Sequence, residues 1–348
     1  MMIRICLIIL FLINSNNISQ AFPKKIKIDL NPNSFSNYQK KLVRASIEDD
    51  NIKAKYKKWI NGNIVTNNKN LKIKLKITGD WKDHIKMKSG RMFSSLSIKV
   101  LEDNYYGNTK FKLLLPETRY GNEHLFWNSM LNYFGYTTLK MQLINVELNN
   151  INYKAFIEES LSKEFLESNF EREGPLLEFD ERANWSNLKN IKSLRKDVIN
   201  KQVNIFSKKK YREYNSPKII NKQYLKNFNS LKIASDAIYL FSQNNFEEFI
   251  DNSNFFYKIS EKYASHGLSL NNRNFFYQPY KFKLFEIYKE GNVRLGGDLY
   301  KIELCDLNEV SKTYIKDFEK FIKNYKFNFK ITNKMKCAFF DVKLTYEQ

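Results

Sequence analysis

The chain has 348 residues, a formal net charge of +21, and 43% apolar and 15% aromatic side chains. That much apolar surface excludes a disordered chain, and the length calls for one large two-part domain or two domains. The three cysteines and three histidines show no CxxC, HExxH or clustered spacing, which excludes a conventional zinc site.

The chain opens MMIRICLIILFLINSNNISQAF. Arg4 precedes an apolar run from Ile5 to Ile13, and Ser19 and Ala21 stand at small-residue positions before Phe22. This pattern predicts a secretory signal peptide over 1–21, too short to span a bilayer. Cys6 is removed with it, so Cys305 and Cys337 either pair in an oxidising compartment or remain two thiols. No later segment is apolar enough to cross a membrane. The expectation is an exported protein, periplasmic or extracellular, with no membrane anchor after signal cleavage.

Residues 22–69 are polar, with weak helical character near Tyr38 to Ala54, and read as an N-terminal extension. Leu71, Ile73, Leu75 and Ile77 alternate with lysines and threonine, which predicts a half-buried strand ended by Gly79. Leu96, Ile98 and Val100 predict a second strand. Trp127, Met130, Leu131 and Phe134 fall on one helical face from Asn122 on, with Gly135 as the stop. Ile144, Val146 and Leu148 alternate, Asn149-Asn150 predicts a hairpin turn, and Ile151 to Ile157 returns. A helix follows near Ser160. Lys208, Lys209 and Lys210 read as solvated surface, and Tyr224 to Ile250 as largely helical. HGLSLNNRNFFYQP, residues 266–279, reads as a loop leading into a short strand. Strand-like and helical pieces alternate to the end, with a helix near Val310 to Tyr325. The sum is an α+β protein, sheet-rich first and more helical later.

Four blocks carry candidate chemistry. TGDWKDH gathers Asp80, Asp83 and His84 in one turn, which taken alone reads first as an Asp-rich turn bonded to its own backbone. Lys99 shares a strand face with Ser95 and Ser97. It is either solvated or placed to hold a phosphate over a cleft. AFIEESLSKEFLESNFEREGPLLEFDER, residues 155–182, is dense in charge and contains a rigid Gly-Pro corner. In the fourth block, Asn271 or Asn272 and Glu290 offer oxygens to a hard metal. His84, His124 and His266 all lie in or beside these blocks. The basic balance invites an anionic partner, although Lys, Asn, Ile, Phe and Tyr are over-used together as an AT-rich genome would produce. No motif speaks for nucleic acid.

In this order, GDWKDH, SLSIKV, LLPETRYGNEHLFWNSMLNYFG, AFIEESLSKEFLESNFEREGPLLEFD and HGLSLNNRNFFYQP resemble the CotH-like atypical kinases, over about residues 70–295. The resemblance implies a diverged protein-kinase-like two-lobed fold, with a sheet-rich N-lobe at about 70–160 and a more helical C-lobe at about 161–300. Residues 301–348 would form a C-terminal extension. It implies phosphoryl transfer from ATP with Mg or Mn to an envelope or secreted protein, or to an anionic surface polymer. Lys99 would bind ATP phosphates and Glu159 would orient it. Asn272 and Glu290 would hold the metal, and His266, Arg273 and Asp298 would serve the catalytic loop. FEIYKEGN departs from the family pattern, because Glu290 stands where an Asp is expected and a Pro is missing. A non-catalytic, pseudokinase-like scaffold of the envelope is therefore the alternative. A third reading is an envelope glycan- or anion-binding protein.

Overall fold

The computed structural model describes residues 22–48, 51–67, 69–169, 171–180, 217–243, 245–251, 253–269, 272–295, 305–307 and 310–347. The expected signal peptide, the lysine run at 208–210, Asn271 and Asp298 lie outside them. The described chain divides into two units. One holds the residues up to Leu113 with Gln142–Ile157, and the other holds Leu114–Met141 with the residues from Glu158 on.

The first unit is built from β1 (Lys25–Asp29), α1 (Pro32–Ile47), β2 (Ile60–Val65), β3 (Asn70–Ile77), β4 (Ile85–Lys88), β5 (Arg91–Ser94), β6 (Leu96–Val100), β7 (Lys110–Leu114), β8 (Met141–Leu148) and β9 (Ile151–Glu159). Seven of these strands close a barrel in the order β1-β2-β3-β6-β7-β9-β8. Strict alternation makes this possible. Leu71, Ile73, Leu75 and Ile77 point inward with Leu96, Ile98, Phe111 and Leu113, while Lys72, Lys74, Lys99 and Lys110 face water. Closure depends on β1, which runs antiparallel to β2 and parallel to β8. At the β8–β9 hairpin both turn residues, Asn149 and Asn150, take positive φ (43° and 67°), the conformation a two-residue hairpin of this hand needs. Asn149 also bonds the Leu30 backbone, accepting from its N–H at 2.9 Å and donating to its carbonyl at 2.7 Å.

Helix α1 starts where Asn31 accepts from the Ser34 N–H and Pro32 fixes the first turn. It buries Tyr38, Leu42 and Ala45, spaced four and three apart. Tyr38 Oη meets Ser94 Oγ at 3.0 Å, and Gln39 exchanges two bonds with Met92, so α1 is pinned to β5.

The second unit contains α2 (Asn122–Tyr133), α3 (Lys163–Ser168), β10 (Leu176–Phe179), β11 (Pro217–Ile219), α4 (Phe228–Ser242), β12 (Ile250–Asp251), α5 (Ser253–Tyr263), β13 (Asn274–Gln278), β14 (Lys283–Ile287), α6 (Lys312–Tyr325) and α7 (Asn333–Glu347). Its sheet runs β11-β10-β13-β14-β12, with only β12 and β14 parallel. Ala234, Ala237 and Phe241 of α4 share a core with Phe179 and Phe275 of the sheet. A second core joins Trp127 and Met130 of α2, Phe256 of α5, Phe321 of α6 and Phe339 of α7. Cys305 and Cys337 form a disulfide that ties α7 to the segment before α6. Among the described residues no helix is long and apolar enough to cross a membrane.

The mixed α+β class holds, but the expected two-lobed kinase-like fold does not. A closed seven-stranded barrel is not a kinase lobe. The reason lies in the stretch taken for an extension, which supplies β1 and β2 and so removes the sheet's free edge. Their signals are faint: β1 buries only Ile26 and Ile28, and Gly62 interrupts β2. Gly62 is there for room, since a Cβ would meet Leu30 Cδ2 at 2.4 Å. The stretch expected as a C-terminal extension likewise supplies α6 and α7, whose phenylalanines fill the core of the second unit.

Candidate functional site

Three backbone segments of the second unit meet around one buried charge cluster. The first is the turn at Pro116–Arg119, which passes through Tyr120 and Gly121 at positive φ and enters α2. The second is the short turn at Ser265–Leu268, and the third is residues 288–295 beyond β14.

The first and third segments are fastened at four points. Arg119 Nη2 donates to Glu290 Oε2 at 3.2 Å, and Tyr288 Oη lies 3.5 Å from His124 Nδ1. Arg294 Nη2 donates to Tyr120 Oη at 2.6 Å, and the Leu295 N–H donates to Glu123 Oε2 at 2.8 Å. The second segment presses on the same place. A Cβ on Gly267 would meet the Glu290 carbonyl oxygen at 2.6 Å, and one on Gly291 would meet Ala264 Cβ at 2.8 Å. Glycine is required at Gly267 by close backbone approach and at Gly291 by the packed side chains of Ala264 and Tyr288.

Electrostatics follow from burial. His124 is 1% exposed. Loss of solvent, helped by the Arg119 charge and opposed by Glu158 and Glu290, lowers its pKa to about 4. It is therefore neutral at pH 7. Burial raises the Tyr288 hydroxyl well above its ordinary value, and the nearby Glu290 charge adds to this. Desolvation also lowers the pKa of His266 at the solvent-facing edge, with Glu290 opposing and Arg119 assisting. Glu159, at the end of β9, accepts from the Lys140 N–H at 2.5 Å, while its own N–H donates to the Lys140 carbonyl at 3.0 Å. Burial nevertheless raises its pKa to about 7.

The structure thus brings His266 and Glu290 together, and adds Arg119, His124, Glu158 and Tyr288. Asn272 stands beside them, its Nδ2 donating to the His266 carbonyl at 2.9 Å. Arg273 is used elsewhere. Its guanidinium donates to both Glu286 oxygens (2.7 and 2.9 Å) and to Glu247 (3.2 Å), among the rings of Phe246, Tyr257 and Phe275. Lys99 lies in the first unit, on the outer wall of the barrel, opposite Lys74 and Lys110. His84 is packed in the same unit, with Nδ1 at 2.9 Å from Ser95 Oγ. In its turn Asp80 pairs with Lys57 at 2.5 Å.

Arg119 and Tyr288 were not singled out by the sequence. The signal available for Arg119 is the RYGNEH stretch, where an Arg, a Gly and a first-turn His follow one another, and Tyr288 lies in FEIYKEGN beside Glu290.

Arg119 Nε and His124 Nε2 are among the buried side-chain atoms that have no hydrogen-bond partner among the described residues. An unpartnered guanidinium nitrogen beside a neutral imidazole suits an anionic oxygen such as that of a phosphate. Among the described residues no group of three or more His, Cys, Asp or Glu is arranged for a metal. Mg²⁺ delivered with a nucleotide commonly uses only one or two protein carboxylates, and the carboxylates whose charge acts on His124 are those of Glu158 and Glu290. No family model matches the chain, and no curated protein matches it.

Proposed function

We propose that the protein is an exported ATP-dependent phosphotransferase of the cell envelope, acting on an envelope or secreted protein or on a surface polymer. The observation that carries this is the convergence of RYGNEH, the His266 turn and KEGN on one buried cluster. RYGNEH and the His266 turn belong to stretches on which the resemblance to CotH-like kinases rests, while KEGN is where the chain departs from that pattern, and Arg119 and Glu290 lie 171 residues apart in sequence. The proposal does not depend on a kinase-like lobed fold. The Cys305–Cys337 disulfide supports export, because such bonds persist in oxidising compartments.

Phosphoryl transfer needs charge stabilisation and positioning more than covalent chemistry. Here Arg119, through Nε, takes the phosphate-binding role that the resemblance gives to Lys99. Neutral His124 orients the same oxygens or accepts a proton. Glu290, with Asn272 and Glu158, would hold Mg or Mn, which when bound supplies neutralisation of phosphate charge. The Arg119–Glu290 pair favours a second reading, a non-catalytic binding protein, since a carboxylate already matched by a guanidinium is less available to a metal.

Calorimetric titration with Mg-ATP and Mn-ATP, beside Glu290→Ala and Arg119→Ala, tests the proposal. Micromolar binding lost in both variants, with thermal unfolding showing both folded, supports it. Turnover of labelled ATP then separates transferase from binder. No nucleotide binding by folded wild-type protein would overturn it.

A further inference from the structure

The outer wall of the barrel carries a second feature that the buried cluster does not use. The strand registers place outward residues in two parallel rows. One row reads Asn61, Lys74, Lys99, Lys110 across β2, β3, β6 and β7. The next reads Lys76, Ser97, Lys112 across β3, β6 and β7, and is extended by Trp59, the residue before β2. Lys72 continues the outward side of β3 and is matched by Glu102 at 2.8 Å.

Within the first row, three lysines occupy directly facing positions on adjacent strands. Neighbouring strands lie only about 4.8 Å apart, and like charges in that position repel. None of Lys74, Lys99 and Lys110 has an acidic partner among the described residues. In the second row Lys76 Nζ sits 4.9 Å from the Trp59 ring centroid. Desolvation, with a smaller contribution from the charge of Lys57, lowers its pKa. Elsewhere on the barrel the same chain balances its lysines: Lys25 and Lys27 share Glu147, and Lys69 pairs with Asp103. On this wall, by contrast, facing lysines of adjacent strands are not interleaved with acidic residues.

We propose that this wall is a docking surface for a linear anionic polysaccharide, one carrying carboxylate or sulfate groups. The cations are all lysines, which act as point charges and do not demand the planar bidentate partner an arginine fork selects. Asn61, Asn63 and Ser97 are spaced among them and offer hydrogen bonds to sugar hydroxyls. A single-stranded nucleic acid is the poorer fit. Its binding surfaces use several stacking rings, and here one tryptophan serves, its ring already met by Lys76. A row of charges repeated from strand to strand suits an extended chain lying across the strands. This inference is independent of the nucleotide site and stands or falls separately from it.

The test uses the full chain and two probes, dextran sulfate and polygalacturonate, with affinity measured from low to physiological salt. Lys74→Gln/Lys110→Gln leaves Lys99 in place. The expected result is weaker binding to both probes and a log–log salt slope shallower by about two, one for each lost contact. Lys320→Gln/Lys323→Gln, on α6, removes the same charge from the other unit and is expected to leave both values unchanged. Equal loss in the two double variants would overturn the proposal, since binding would then follow net charge alone. Tighter binding to poly(dT) or to anionic phospholipid vesicles than to either polysaccharide, with the same loss in Lys74→Gln/Lys110→Gln, would overturn the polysaccharide assignment. No polysaccharide binding at low salt would remove the surface altogether.

Discussion

The barrel wall and the centre of the second unit treat charge in opposite ways. On the wall Lys74, Lys99 and Lys110 face one another without counterions, and water screens the repulsion. In the second unit, Arg273 is fully buried and holds Glu286 and Glu247. The difference teaches where charge is structural. A buried ion is tolerated only when matched atom by atom, whereas an exposed one is held in place by the strand beneath it.

The largest test of that contrast is Arg273→Met. It leaves the Glu286 carboxylate buried without its partner, and burial already raises that group's pKa against the Arg273 charge. Urea unfolding is expected to show a loss of about 3–5 kcal/mol. Arg273→Met/Glu286→Leu is expected to regain much of it, because the uncompensated charge is then gone as well.

The next effect is visible in pH. Glu159 has a folded pKa raised to about 7, so its contribution to stability is full below the unfolded carboxyl value and lost as pH rises through about 7. His124 is depressed to about 4, so its contribution is present above the unfolded imidazole value and lost as pH falls toward 4. The two slopes oppose each other. Glu159→Gln is expected to gain relative to wild type as pH rises from 4.5 to 7, by up to about 3 kcal/mol. His124→Asn is expected to change with pH in the reverse sense. Chemical denaturation at a series of pH values checks both, and parallel profiles for the two variants would refute the assignment.

Gly79→Ala probes the barrel unit itself. Gly79 has φ of +91°, and a Cβ there would sit 2.1 Å from His84 Cδ2, displacing the ring that meets Ser95. A loss of about 1–3 kcal/mol in thermal or urea unfolding is expected. The smallest effect belongs to the wall. Lys99→Gln should stabilise the protein by about 0.2–1 kcal/mol at low salt, and the gain should vanish at high salt. A loss of stability at low salt would mean that the lysine row is balanced by anionic groups.

Much of the barrel was legible because alternation is a local signal. Leu71 to Ile77, Leu96 to Val100 and the Asn149-Asn150 hairpin appear where the pattern puts them. The helix that Gly135 follows does too, and the loop at 266 leads into the strand at Asn274–Gln278. Closure was not legible. It depends on the pairing of β1 with β8, between residues more than 100 apart, and a five-residue strand carries too few apolar positions to announce it. The candidate site was half legible. His266 and Glu290 belong to chemically marked segments. Arg119 becomes a site residue only because the chain after β14 folds back along the start of α2. Arg273 shows the converse, since its loop context suggested chemistry and only the fold reveals Glu286 across the β13–β14 hairpin.

The bond between Cys305 and Cys337 also bears on how the protein would survive outside a cell. Its two cysteines stand 32 positions apart in sequence, and the segment between them includes α6. A protease that nicks the backbone anywhere inside that segment would release nothing, because α7 remains covalently joined to the rest of the chain. The fragments would part only after reduction, and until then Phe339 and its neighbours would still hold α7 in the core.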